Sequence, residues 1–168
     1  LANLKADFFV PQIGNHPESL IRKGFPCLLD GIGLGIGLFS VMAAIAPLSP
    51  PTWAWLLVLF NGLLWPHIAY LWAARSAAPY QAEQRNLLLD SLMGGFWTAA
   101  MHFNPLPSVT TLSMMSMNNV AIGGPRFLFA GWVAQALGLG TALLLFTPGF
   151  VALTTQAQLY ACLPILML

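Results

Sequence analysis

The sequence predicts an all-α, polytopic membrane protein: a bundle of six transmembrane helices with amino and carboxyl termini both cytoplasmic. Three observations lead there. Of 168 residues, 58% are hydrophobic and 7% charged, with a mean hydropathy of +0.75, whereas a water-soluble domain carries roughly 25% charged residues. Apolar runs near the ~20 residues that span a bilayer recur between short clusters of Pro, Gly and polar residues. The six basic residues fall only in alternate connections, which the positive-inside rule assigns to the cytoplasm.

Residues 1–26 carry Lys5, Arg22 and Lys23 and read as a cytoplasmic amino-terminal segment. The first span is Cys27–Ala46. Asp30 and a glycine ladder interrupt it and no small-residue cleavage pattern follows, which argues against a signal peptide. The connection "PLSPPT" (47–52) leads to a second span, Trp53–Ala74, with Trp53 and Trp55 at its outer end and Tyr70 and Trp72 at its inner end, as an interfacial belt requires. Next comes "RSAAPYQAEQR" (75–85), read as a loop with Arg75 and Arg85. The third span is Leu87–Phe103, and "NPLP" (104–107) separates it from the fourth, Pro107–Ile122. "GGPR" (123–126) is turn chemistry: glycines end one helix and Pro125 suits the first turn of the next. The fifth span is Phe127–Phe146. After "TPGFVALTTQAQ" (147–158) a sixth begins near Leu159 and is truncated at Leu168. Residues 27–168 thus form one transmembrane domain. Leu1 and Leu168 both read as cuts in a longer chain, whose next domain is expected in the cytoplasm.

"NGLLWPHIAYLWAAR" (61–75) places Asn61, Pro66 and His67 in the second span. Proline lacks an amide hydrogen and frees the Gly62 carbonyl one turn earlier, which in lipid needs a partner within the bundle. Asn61, His67 or a side chain of the third helix is expected to supply it, with the polar face turned inward. These residues are either glue between helices or part of a ligand site. Intramembrane acids are expensive and usually paired. Asp30 and Asp90 lie three residues inside the inner ends of spans one and three, within reach of Arg22, Arg75, Arg85 or Arg126. Together with His67, Asn118 and Asn119 they suggest a charged collar, structural or coupling a signal. "DGIGLGIGLF" (30–39) has glycines at Gly31, Gly33, Gly35 and Gly37, two overlapping small-xxx-small pairs that let another backbone approach, within the bundle or between protomers.

Other chemistry is excluded or weakened. Six Lys+Arg against five Asp+Glu leave no basic stripe for nucleic acid. Cys27 and Cys162 are too few for a disulfide framework and are expected as free thiols. No HExxH, P-loop, CxxC or Ser-His-Asp pattern is present, so neither a metal site nor a catalytic residue is expected here. His67 and His102 raise a bis-histidine haem, but they lie at different predicted depths. A small transporter or channel is a further alternative: the proline kink favours it, and the lack of a repeat between the two halves opposes it.

"WPHIAYLWAAR" (65–75), "RNLLLDSLMGGFWTAAM" (85–101), "NPLPSVTTLSMMSMNN" (104–119) and "GGPRFLFAGW" (123–132) together resemble the membrane-associated sensor domain, second class. That family is a hexahelical amino-terminal module of bacterial diguanylate cyclases and class III adenylate cyclases. The resemblance implies an inner-membrane sensor and dimerising anchor ahead of a cyclase domain, absent here, that uses Mg and a nucleoside triphosphate. It names no ligand. The outer connections are short and uncharged, so the expected input is a lipophilic molecule, a lipid or a bilayer property.

Overall fold

The computed structural model describes the backbone of residues 25–145, 149–151 and 153–167, and side-chain surroundings from residue 35 onward. The described residues are helical, without strands. Helix α1 is Phe25–Ile45 and closes in a tight turn at Ala46–Leu48. Helix α2 is Thr52–Arg75 and contains a π-turn at Phe60–Leu64. Helix α3 is Pro79–Ala100. Residues Pro105–Leu145 run on as helix except at Gly124, whose φ of 70° and ψ of −168° fold the segment into two arms, α4 (105–123) and α5 (125–145). Helix α6 is Gln156–Leu166.

Two expected boundaries move. Helix α3 starts at Pro79, so 79–85 is helix rather than loop: charge marks the stretch as a connection, yet Pro79 fits a first turn and Ala82 and Glu83 are buried. Helix α6 starts at Gln156, because Thr155 and Gln158 form a reciprocal capping box that satisfies two orphan donors. The GGPR turn is sharper than its four residues suggest, since only Gly124 leaves helical geometry, in a left-handed φ that glycine adopts without penalty.

Pro66 is accommodated without a free-standing kink. In the π-turn the Trp65 amide donates to the Phe60 carbonyl, one residue further back than an α-helix places it. A widened turn ahead of the proline moves the carbonyls its ring would strike. Gly62, in that turn, makes room for α1: a β-carbon there would lie 2.9 Å from Leu38 Cβ. Gly62→Ala is therefore expected to push the two helices apart and lower stability by about 1–3 kcal/mol, read as a lower thermal midpoint in detergent.

An apolar core around Leu38, Ile45, Phe96 and Trp97 is accompanied by many buried polar residues and by a surface rich in large apolar side chains. Buried positions include Ser40, Glu83, Asp90, Ser91, Asn104 and Asn119, while Leu56, Leu64, Phe129, Trp132, Leu137 and Leu144 are exposed. A water-facing surface rarely shows apolar patches of this extent; hydrocarbon solvates them at no cost. Trp53 and Trp72 are exposed at opposite ends of α2, where interfacial rings belong. Two helical stretches, Thr52–Arg75 and Pro105–Leu145, are long and apolar enough to cross a membrane. Helix α3, though 22 residues long, carries Glu83, Arg85 and Asp90 and falls outside that pair.

Candidate functional site

The bundle has two unlike ends. At one, Tyr80 donates to the Ile122 carbonyl at 2.7 Å, and Arg75, Arg85 and Arg126 are all exposed nearby. At the other, Val151 donates to the His102 carbonyl at 3.0 Å and Phe103 stacks on Phe150 at 4.9 Å. Among the described residues this second end has no charged side chain.

Toward the arginine end, α2 and α3 meet in an antiparallel polar seam. The Trp65 indole donates to Asp90 Oδ1 at 2.6 Å, and one turn along both helices Asn86 Nδ2 donates to the Ala69 carbonyl at 3.0 Å. Glu83 is buried on the same face. Residues 83, 86 and 90 share that face because they are three and four apart on a helix. On the neighbouring face, Asn119 Nδ2 donates to Ser91 Oγ at 2.7 Å and occupies the space that a side chain at Gly131 would take. Gln135 Nε2 reaches the Leu112 carbonyl at 3.5 Å, so α4 and α5 form an antiparallel hairpin.

Trp65→Phe removes the seam's donor while keeping an aromatic ring. It is expected to lower stability by about 1–3 kcal/mol, the cost of stranding a buried acceptor, and adding Asp90→Leu should restore most of that loss. An unchanged midpoint in the single variant would show that the bond contributes nothing.

At the charge-free end one residue gathers four hydrogen bonds, three of them through its side chain. Gln158 Oε1 accepts from Asn104 Nδ2 at 2.9 Å and from the Thr155 amide at 2.8 Å, the Gln158 amide donates to Thr155 Oγ1, and Nε2 reaches the Ala43 carbonyl at 3.4 Å. Thr154 completes the group by donating to Asn104 Oδ1 at 2.9 Å. Ser40 Oγ lies 3.1 Å from the Cys162 sulfur, so α1, α6 and the α3–α4 connection are tied together. Two cavities accompany these layers. One of about 30 Å³ lies beside the π-turn between Gly37, Asn61, Gly62 and Thr111, the size of a water or two. The other, about 140 Å³, lies between the α1–α2 connection and the end of α3.

The MASE2 domain model matches residues 27–113, just over half of the chain, from the first turn of α1 through α3 into the first half of α4. The chain belongs to the MASE2 family. The chain is similar to the probable diguanylate cyclase DgcC of Escherichia coli strain K12 and to the probable diguanylate cyclase DgcC of a second strain, O6:H1. Each is 32% identical over 106 residues, or 63% of this chain. The chain spans 29% of the length of these relatives. No solved structure matches.

Within this MASE2 module the sequence-marked residues scatter. Asn61 is half-buried at the small cavity and Pro66 is buried, but His67 is exposed. Its Nδ1 meets the Leu63 carbonyl of its own helix at 2.9 Å, not the Gly62 carbonyl; Pro66 and Ala69 set the inward face, and residue 67 is turned away from it. Asp90 meets the Trp65 indole, and among the described residues no ion pair joins it to Arg75, Arg85 or Arg126, so the expected collar is replaced there by a neutral donor. Asn119 is fully buried, Asn118 half-buried and Arg126 exposed. The side chains of Cys27 and Asp30 and the surroundings of Gly31 and Gly33 are not described, and Lys5, Arg22 and Lys23 lie outside the described residues. Among the described residues, a β-carbon at Gly35 would meet nothing within 4 Å, and one at Gly37 only the tip of Met114 at 3.8 Å. Cys162 is a buried free thiol. In the antiparallel register of the seam, His102 is level with residue 53 of α2, so it and His67 are separated by ~21 Å at 1.5 Å per residue.

Sequence reading missed Glu83, Asn86, Asn104 and Gln158. The three-and-four spacing of Glu83, Asn86 and Asp90 was the available signal. Asn104 and Gln158 are 54 positions apart, and no local pattern links them.

Proposed function

We propose that this chain is the membrane-embedded sensor and dimerising anchor of a bacterial nucleotide cyclase. Its six helices each cross the inner membrane, the arginine-bearing end faces the cytoplasm, and α6 leads to a cytoplasmic domain that converts GTP to cyclic diguanylate. The observation that carries this reading is the similarity to a probable diguanylate cyclase across only 29% of that relative's length, which leaves room for an output domain beyond the membrane module. Mg and GTP are then needs of that domain. The confinement of Arg75, Arg85 and Arg126 to one end supports the orientation. Diguanylate cyclase relatives favour cyclic diguanylate over the cyclic AMP that the family also allows.

Two such output domains must meet for catalysis, and holding them on one membrane dimer raises their effective concentration. Gly35, open on its helix face, suits contact with a second copy, and the expected input is a lipophilic molecule, a lipid or a bilayer property. The test is the full chain expressed in a host stripped of its own cyclases. Accumulation of cyclic diguanylate, together with a fluorescent protein that folds when fused after Leu168, is the expected result; cyclic AMP, no product, or an extracytoplasmic fusion would overturn it.

A further inference from the structure

Helix α3 ends in an unusual way. The Phe103 amide donates to the Thr98 carbonyl and the His102 amide to the Ala99 carbonyl, the paired bonds of a Schellman motif, which places His102 at the position where glycine is the ordinary residue. His102 nevertheless adopts φ 54°, and Phe103 repeats it at φ 54°. Two successive residues with side chains in the left-handed region are strained. The Val151 amide on the His102 carbonyl, the Phe103–Phe150 stack and the Asn104–Gln158 bond hold them there. Across a gap, Ser49 in the α1–α2 connection is also left-handed, at φ 50°.

Between these two strained walls lies the cavity of about 140 Å³. Trp97, Pro50, Pro51, Ala54, Ala100 and His102 are among its lining residues: the first three are largely apolar, the alanines leave room, and the His102 ring carries nitrogens that can hydrogen-bond. Its lining contains no charged residue, so an ionised ligand would be desolvated without compensation. An apolar cavity of about 150 Å³ accommodates a benzene ring.

We propose that this cavity is a binding pocket for a small neutral aromatic molecule carrying one hydrogen-bonding group, with the ring against Trp97 and the prolines and the polar group on His102. The proposal rests on the sensor reading and names the input of that sensor. It explains why a histidine occupies a glycine position: the side chain is needed in the pocket. It also supplies a route to the output, since Asn104, two residues beyond His102, is bonded to Gln158 on α6, and α6 leads toward the cyclase domain. A ligand that shifts the strained turn changes the seating of α6 directly.

The test uses the full chain in lipid nanodiscs and para-fluorophenol as probe, followed by fluorine NMR. Saturable, protein-dependent broadening displaced by phenol is expected. Ala54→Leu and Ala100→Leu, which fill the cavity from opposite walls, should each weaken binding about tenfold or more while leaving the thermal midpoint at or above that of the parent. His102→Phe should weaken it by about tenfold through loss of one hydrogen bond. No saturable binding, or binding undiminished in both folded alanine-to-leucine variants, would overturn the pocket. Cyclic diguanylate output measured in parallel separates the two ideas. Binding without any change in output keeps the pocket and removes the sensor reading, whereas regulated output without saturable binding does the reverse.

Discussion

Gly138→Leu and Gly95→Leu are each expected to lower stability by about 3 kcal/mol or more, because there is no side chain to move out of the way. A β-carbon at Gly138 would overlap the Leu92 carbonyl, and one at Gly95 would overlap the Gln135 carbonyl. Helices α3 and α5 therefore cross backbone against backbone, the close approach that small residues permit in membranes. Relief requires the two helices to separate, which would also pull on the Gln135 bond to Leu112. Gly140→Ala is the matched control: nothing lies within 4 Å of its β-position, so the change should be neutral or stabilising by up to about 1 kcal/mol from helix propensity. Thermal midpoints of purified protein in one detergent compare all three. Equal midpoints for the Gly138 and Gly140 variants would show that the crossing is looser than described.

Asn104→Leu is expected to be nearly as damaging, at about 2–4 kcal/mol. The side chain is 1% exposed and both ends of its amide are used, by Gln158 and by Thr154. Leucine keeps the branched shape but is bulkier, strands the Thr154 hydroxyl, which has lost its acceptor, and leaves Gln158 Oε1 with the Thr155 amide as its donor. It also releases the strap that holds His102 and Phe103 left-handed. The measurable signature is therefore double: a lower midpoint, and faster protease cleavage in the α3–α4 connection than in the others. Cleavage that stays uniform would mean the turn is held by the Phe103–Phe150 stack instead.

Helix positions were largely legible in the sequence because lipid imposes a simple rule. A run such as Trp53–Ala74 must be apolar across its whole length, and Pro, Gly and charge can gather only where it ends. The same rule hid the start of α3. Glu83 and Asn86 look like loop residues to any measure of hydropathy, yet they face inward against α2, where Asn86 finds a carbonyl partner. Polarity reports that a residue avoids lipid; it does not report whether water or the bundle interior receives it.

The candidate site was less legible for a related reason. His67 and Asp90 stand out as polar residues in apolar runs, but their roles depend on rotation about the helix axis, which composition does not record. His67 is turned outward onto its own backbone, and Asp90 is turned inward to the Trp65 indole, which nothing in the local pattern marks as its partner. The glycines reverse in the same way. The conspicuous ladder at Gly35 and Gly37 makes no tight contact with the described residues, whereas Gly95 and Gly138 bring two backbones together and Gly62 and Gly131 make room for Leu38 and Asn119.

The solvent was determined by sequence alone, because 7% charged residues cannot clothe a surface in water. So were the helical class, most of the helix positions and the segregation of basic residues, all of which are sums over local composition. Tertiary structure decided which polar group meets which. Hydrogen bonds such as Asn104 to Gln158, and the backbone crossing at Gly138, join residues far apart in the chain through distances of a few ångströms. Such pairings arise only when helices have chosen their rotation and crossing points, and nothing local in the chain encodes that choice.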